Sequence, residues 1–298
     1  MNQLLLTQSP AMRGAIYMVL AGIAFAVVNI SIQMVTMQMG MSSTAAAFWQ
    51  YFIAISFSVP VVARYGLKSL KTDFPVLHIL RVFFSVVGIQ LWVAGLAHVP
   101  IWQAIALVMT SPFFVTLGAV VFLGEKPGIS RWLATLVGFI GGLVILEPWA
   151  DGFSTYAFLP VAAAALWAGT SVLTKKLTRT EIAESVTVYL VALLLPVNAL
   201  FAGFGGGFAV PGMEALALIV VAGLLTALAL FLSARAYEVA DASFVQPFDH
   251  LKLPLNVLAG FLVFGYAPTG NLWIGAALII GASFYVIRSE QNNNTAKS

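Results

Sequence analysis

Long apolar segments separated by short polar turns make up most of the chain, and none shows the two-residue alternation of a transmembrane barrel strand. A helix of about 20 residues crosses the roughly 30 Å hydrocarbon core of a bilayer and satisfies its own backbone hydrogen bonds there. The pattern therefore predicts an all-α integral membrane protein with ten transmembrane helices. They are expected at about residues 14–38, 43–63, 77–97, 102–123, 132–147, 155–174, 185–204, 213–235, 243–264 and 271–287.

The composition excludes an ordinary water-soluble globule. Of 298 residues, 61 % are apolar and only 8 % are charged, which is about a third of the charged share of a soluble protein. There are no cysteines and only three histidines, so disulfides, thiol nucleophiles and clustered metal ligands are not expected. The first apolar segment follows a single basic residue, Arg13, and is too long for a cleaved signal peptide, so it is predicted to remain as the first span.

Lysine and arginine residues lie at the C-terminal end of one predicted helix and the N-terminal end of the next, so that nearly all of them fall on one side of the membrane. Thirteen of the 14 follow this rule, including Arg81 just inside the third helix, whereas the connections at the opposite ends contain none. The positive-inside rule then places both termini and this end, here called the basic end, in the cytoplasm. The net charge of +3 is thus explained by topology rather than by a nucleic-acid patch. The basic end comprises Arg13, residues 64–81, 126–131 and 175–179, Arg235, and residues 288–297.

A sequence motif recurs along the chain and indicates an internal repeat. The pattern G-x-x-P-x4-W begins at Gly124 and again 141 residues later at Gly265, and Pro112 precedes Pro254 by 142 residues. Because five helices per half is an odd number, the second half must cross the membrane in the opposite sense. Inverted repeats give a transporter two pseudo-equivalent conformations and a site near the midplane. We predict repeats over residues 1–148 and 149–288, followed by a polar cytoplasmic tail over 289–298.

The ninth apolar segment carries polar side chains at membrane depth. On an uninterrupted helix Asp249, Lys252 and Asn256 fall within about 60° of one another, and Gln246 widens this stripe to about 120°. Lys252 would lie about ten residues, or roughly 14 Å, inside the helix. Such a stripe must face the bundle interior or a hydrated cavity. Two interpretations stay open: Asp249 and Lys252 only neutralise each other, or one or both contact a zwitterionic substrate or switch partners between conformations.

Other predicted helices carry further candidates. Trp167 near the middle of the sixth helix is either a core residue or part of a cavity wall that suits an aromatic or apolar group. Prolines in the fourth and ninth helices are either static kinks or hinges. The predicted substrate-binding residues are Asn29, Gln90, Trp167, Thr170, Ser171, Gln246, Asp249, Lys252 and Asn256, and the predicted hinges are Pro112 and Pro254.

The chain resembles the drug/metabolite transporter superfamily, specifically its EamA-type members with two five-helix repeats. The resemblance rests on Thr110-Ser111-Pro112, Leu123-Gly124-Glu125-Lys126-Pro127, and the glycine-flanked segments 138–142 and 275–281. Within the superfamily the chain is most similar to bacterial exporters of aromatic and other neutral amino acids, of the YddG type. It departs from the family pattern at Tyr266, where an acidic residue is usual, and at Gln50, where an arginine is common.

Together these features predict a secondary transporter that exports small neutral solutes, amino acids first among them, across the bacterial cytoplasmic membrane by alternating access. The absence of a Walker motif argues against an ATP-driven pump. The alternatives are a transporter of another metabolite such as a nucleotide sugar, vitamin or drug, an intramembrane lipid-handling enzyme, and a small channel. The expected partners are the lipid bilayer and the small-molecule substrate. We expect a monomer with no enzymatic activity, cofactor, metal or nucleic-acid partner.

Overall fold

The computed structural model describes residues 8–96, 98, 107–146, 155–205, 207–265 and 271–295. These residues form twelve α-helices and no strand, which confirms the predicted all-α fold. The last helix continues to Thr295, so residues 289–295 of the expected tail are helical. The helices are α1 Pro10–Gln33, extended by a π-helical turn Met34–Gln38, α2 Ser43–Ala54, α3 Ser58–Tyr65, α4 Pro75–Leu96, α5 Ser111–Leu123, α6 Ile129–Leu146, α7 Phe158–Leu177, α8 Ala183–Phe204, α9 Met213–Val239, α10 Ala242–Asp249, α11 Lys252–Phe264 and α12 Asn271–Thr295.

Within the described ranges, six helical segments are long and apolar enough to cross a membrane, and three apolar helices are shorter. Large apolar side chains also cover the outside of the bundle: Leu262 is 72 % exposed and Phe284 is 67 % exposed. Exposure of this kind is unfavourable in water but suits a surface that faces lipid. The six long segments are Pro10–Gln38, Ser43–Tyr65, Pro75–Trp92, Thr155–Leu177, Ala183–Phe204 and Met213–Val239.

The ninth apolar segment, predicted as a span over residues 243–264 that Pro254 interrupts, is a broken helix made of α10 and α11. Pro254 has no N–H to donate to the carbonyl of His250, four residues back. Leu253 donates to that carbonyl instead, at 3.1 Å, and Leu251 donates to the Phe248 carbonyl at 3.2 Å. These bonds reach three residues back rather than four, and α10 ends as α11 begins. Lys252 is therefore the first residue of a half-helix.

Helices α5 and α11 match each other. Both contain 13 residues, and their first residues, Ser111 and Lys252, are 141 positions apart. Both end at a glycine in the left-handed conformation, Gly124 with φ 69° and Gly265 with φ 70°. Only glycine adopts this conformation without steric cost. The match supports the internal repeat, although its predicted boundary at residue 148 lies outside the described residues.

The two halves interdigitate rather than forming separate bundles. α1 packs along α9, α4 along α7, α6 along α12, and α2 along α8. In the repeat, α1 corresponds to α7, α2 to α8, α4 to α9 and α6 to α12. If each helix is exchanged for the corresponding one, the α1–α9 contact becomes the α7–α4 contact. The same exchange leaves the α6–α12 and α2–α8 contacts unchanged. This arrangement fits a pseudo-twofold relation between the halves, and it places residues of both halves around a central cavity.

Candidate substrate-binding site

A cavity of about 610 Å³ lies between the two halves, within the size range of small-molecule sites. Its walls are formed by segments of both halves, so the predicted interface does contain a space for a ligand. Gln90 is exposed on α4 and is not among the residues that line the cavity, and Pro254 is not among them either. The predicted residues that line it are Asn29, Pro112, Trp167, Thr170, Ser171, Gln246, Asp249, Lys252 and Asn256.

An aromatic wall is formed where α4 meets α7. The indole of Trp167 packs directly on Gly88, where an added Cβ would lie 2.6 Å from the indole Nε1 atom. The ring centroid of Trp92 is 6.1 Å from that of Trp167. Phe25 and Tyr51 also line the cavity. Trp167 therefore belongs to the cavity wall, and the glycine opposite makes room for its ring.

A polar wall is formed where α1 meets the start of α11. Lys252 forms a salt bridge with Asp249, and the two side chains are 29 % and 23 % exposed. The Lys252 ammonium also lies 5.1 Å from the ring centroid of Phe25, a cation–π distance. Asn29 donates to the Asn256 amide oxygen at 2.9 Å, which links the two helices. The two charges thus neutralise each other while keeping surface that faces the cavity.

A third group of polar side chains surrounds the hydroxyl of Tyr237. Gln246 donates to this hydroxyl at 2.5 Å, and Ser171 is also hydrogen-bonded to it. On the neighbouring turn the hydroxyl of Thr170 lies 3.3 Å from that of Ser85. Gln246 is buried, so its amide is held by this contact. These residues supply hydroxyl and amide groups between the aromatic and the polar wall.

Arg81 also lines the cavity, although the positive-inside pattern alone assigns it to the basic end. Its side chain is buried, with a relative exposure of 1 %. Six residues separate it from Pro75 at the start of α4, which places it roughly 9 Å inside the helix. Its depth in the helix, the property that singles out Lys252, therefore identifies Arg81 as a candidate site residue.

At the basic end, Glu125 joins the two halves. Its carboxylate accepts hydrogen bonds from the backbone N–H groups of Ala242 and Ser243 at 2.8 and 3.0 Å, and from the Ser243 hydroxyl at 2.6 Å. Arg131 donates to Asp241 at 2.9 Å in the same place. We call these five residues the Glu125 cluster. It ties the α5–α6 connection to the start of α10, where the carboxylate also suits the positive end of the helix dipole.

Two more carboxylates join the halves at this end. Glu181 accepts hydrogen bonds from Thr72 at 2.5 Å and lies 2.9 Å from the Nε2 atom of His78. Glu184 forms a salt bridge with Arg235 at 2.7 Å, within the second half, and accepts a hydrogen bond from Tyr65 at 3.1 Å. Polar contacts therefore join the two halves at the basic end. No group of three or more histidine, aspartate or glutamate side chains that could hold a metal ion occurs among the described residues.

The sequence is similar over nearly its whole length to bacterial transporters. It is 54 % identical over 292 residues to the riboflavin transporter of Rhizobium johnstonii, covering 97 % of this chain and 96 % of that protein. It is 50 % identical to the riboflavin transporter of Vibrio cholerae, covering 94 % of each. The S-adenosylmethionine uptake transporter of Rickettsia bellii is 31 % identical, over 86 % of this chain and 87 % of the relative.

Two further comparisons agree. One solved crystal structure shares the fold, with a TM-score of 0.72 at 19 % identity, over 93 % of this chain and 95 % of the other. The model of the EamA-like transporter family matches residues 12–147, the region that contains nearly all of α1 and the whole of α2 to α6. With relatives of such high identity over nearly the whole chain, this chain belongs to the EamA-like transporter family of membrane transporters.

Proposed function

We propose that the protein carries riboflavin across the cytoplasmic membrane by alternating access between its two halves. The observation that carries this proposal is the cavity, whose aromatic wall stands beside hydroxyl and amide groups. Riboflavin combines a planar three-ring isoalloxazine with a ribityl chain that bears hydroxyl groups. Aromatic faces suit the rings, and amide and carboxylate groups suit the hydroxyls.

The names of the relatives support a vitamin as the substrate, in place of the amino acid expected from the sequence. Two of them, each at least 50 % identical, are named riboflavin transporters. A vitamin was among the substrates that the sequence left open, and it now becomes the leading one. Its transport would use the break between α10 and α11, with Pro112 and Pro254 as hinges and the basic end on the cytoplasmic side.

Purified protein in lipid vesicles tests the proposal. We expect saturable accumulation of radiolabelled riboflavin in vesicles preloaded with unlabelled riboflavin, and none in vesicles without protein. Excess unlabelled riboflavin should abolish the signal, whereas phenylalanine should leave it unchanged. Loading the label inside and then outside the vesicles measures both directions of movement.

Two results would contradict the proposal. Saturable counterflow of phenylalanine without any riboflavin counterflow would restore an amino-acid substrate. A riboflavin flux that rises linearly with concentration would indicate a channel instead of a carrier.

Gly88→Ala tests whether the packing of Trp167 matters for the substrate. The new Cβ would lie 2.6 Å from the indole Nε1 atom, so the ring must shift into the cavity or the two helices must separate. We expect riboflavin affinity to fall roughly 5- to 150-fold, since overpacking a well-packed contact costs about 1–3 kcal/mol. Binding is measured by quenching of flavin fluorescence in detergent.

Gly281→Ala is the matched control because no atom lies within 4 Å of its added Cβ. It replaces a helical glycine by alanine on α12 without a clash. An unchanged riboflavin affinity in Gly88→Ala would show that the position of the indole does not affect binding.

A further inference from the structure

The guanidinium of Arg81 is only partly satisfied by the protein. Its Nη2 atom donates to the carbonyl of Val186 at 2.6 Å, and its Nη1 atom reaches the Thr174 hydroxyl at 3.5 Å, a weak hydrogen bond. Its Nε atom is buried and has no hydrogen-bond partner. A buried donor without a partner is costly, more so when the group is charged. Since Arg81 lines the cavity, a bound ligand can supply the missing acceptor.

No carboxylate in the described part of the chain forms a salt bridge with Arg81. Glu181 interacts electrostatically with Arg81 without forming a salt bridge to it. Both oxygens of Glu181 are already engaged, one by Thr72 and the other by His78. The positive charge of Arg81 is therefore balanced at long range only, and it remains available to an electron-rich group in the cavity.

Arg81 lies on the same wall as the indole of Trp167. The Thr170 hydroxyl is 3.4 Å from the carbonyl oxygen of Arg81, so α4 and α7 are in contact at this level. Trp167 precedes Thr170 by about one helical turn, and Gly88, which contacts the indole, follows Arg81 by about two turns. A planar ligand stacked along Trp167 would thus point one edge toward the guanidinium.

We propose that Arg81 binds the N1 and C2 carbonyl edge of the isoalloxazine ring, an inference that rests on the proposed riboflavin transport. N1 and the C2 oxygen are neighbouring hydrogen-bond acceptors on the pyrimidine-like ring, and their lone pairs point toward the same edge. A guanidinium offers two parallel N–H donors with the spacing of such a pair, and positive charge near N1 is a recurrent way to bind flavins. The Nε–H is one of these donors.

Two riboflavin analogues test the contact atom by atom. In 1-deazariboflavin a C–H replaces N1, whereas in 5-deazariboflavin the change lies on the central ring. We expect 1-deazariboflavin to bind roughly 10- to 100-fold more weakly than riboflavin to the native protein, the range for a hydrogen bond to a charged group. 5-Deazariboflavin should bind within about threefold of riboflavin.

The variants Arg81→Met and Arg81→Lys complete the test. In Arg81→Met, riboflavin and 1-deazariboflavin should bind equally weakly, because the partner of N1 is gone. Arg81→Lys keeps the charge but not the paired donors. It should therefore retain only part of the native difference in affinity between riboflavin and 1-deazariboflavin. Arg64→Met is the matched control, since Arg64 is exposed on α3. Size-exclusion profiles and thermal unfolding in detergent identify any variant that fails to fold.

The outcomes separate this inference from the function itself. If riboflavin binds the native protein and the losses from Arg81→Met and from 1-deazariboflavin multiply, the two changes act independently and Arg81 does not contact N1. If Arg81→Met does not fold, Arg81→Lys is used instead. An affinity ratio between riboflavin and 1-deazariboflavin that stays at the native value in Arg81→Lys would likewise show that Arg81 does not contact N1. If the native protein neither binds nor transports riboflavin, the proposed function fails.

Discussion

Lys252→Met is expected to abolish saturable riboflavin transport and to destabilise the protein. The change leaves Asp249 facing an apolar side chain inside the bundle, without the ammonium that forms its salt bridge. Removing one partner of a buried ion pair costs about 3–5 kcal/mol, because the remaining charge is left uncompensated. The partial exposure of both side chains to the cavity places the effect at the lower end of this range. Initial transport rates and thermal unfolding in detergent measure the two effects.

The double variant Asp249→Asn with Lys252→Met separates binding from neutralisation. It removes both charges, so stability should return to near the native value. We expect transport to stay lost, because Lys252 also contributes the charged surface beside Phe25. Lys68→Met, at an exposed lysine, is the control for loss of one positive charge. Recovery of transport in the double variant would mean that the pair serves only to neutralise itself.

Glu125→Ala is expected to open the basic end of the bundle. The change removes three hydrogen bonds, two of them to backbone N–H groups at the start of α10. A hydrogen bond to a charged group contributes about 1.5–3 kcal/mol, so losing even one shifts a two-state equilibrium by roughly tenfold or more. The variant should therefore populate the conformation that is open at this end.

The absence of cysteine in the chain makes this shift measurable with a single thiol. Ser233→Cys places one in the cavity lining on α9. A membrane-impermeant maleimide added at the basic end should label it slowly in the native background and at least about tenfold faster with Glu125→Ala. Glu214→Ala, at the exposed start of α9 near the opposite end, should leave the labelling rate unchanged. Equal rates in all three backgrounds would show that the Glu125 cluster does not hold this end closed.

The apolar pattern predicts the fold well because lipid imposes long apolar helices with few charges. It does not reveal the break between α10 and α11, since the same residues would read as one continuous span. Pro254 is the local cause of the break, but prolines also occur as simple kinks in membrane helices. Only the backbone hydrogen bonds around His250 and Leu253 distinguish a kink from two half-helices.

The candidate site is predicted best where charge at membrane depth is unusual, as at Asp249 and Lys252. Gln90 is the counterexample, since it follows Arg81 by nine residues and so lies about 180° around α4. A single apolar helix does not show which face is inward, and the neighbouring helices decide it. Arg81 is overlooked for a different reason, because the topology rule explains its charge before its depth is considered. The substrate itself depends on fine details of shape that spacing does not encode.

The exchange relation between the halves has an energetic consequence. If movement swaps the roles of the α1–α9 and α4–α7 contacts while α6–α12 and α2–α8 persist, the two end states bury nearly the same apolar area. The packing energies of the two end states are then nearly equal. Residues that differ between the halves therefore decide which end state is more populated in the absence of substrate. Glu125 is such a residue, because 141 positions later the chain has Tyr266. In that case we expect a single polar substitution at position 125 to change the side to which the protein rests open, with its helices and cavity unchanged.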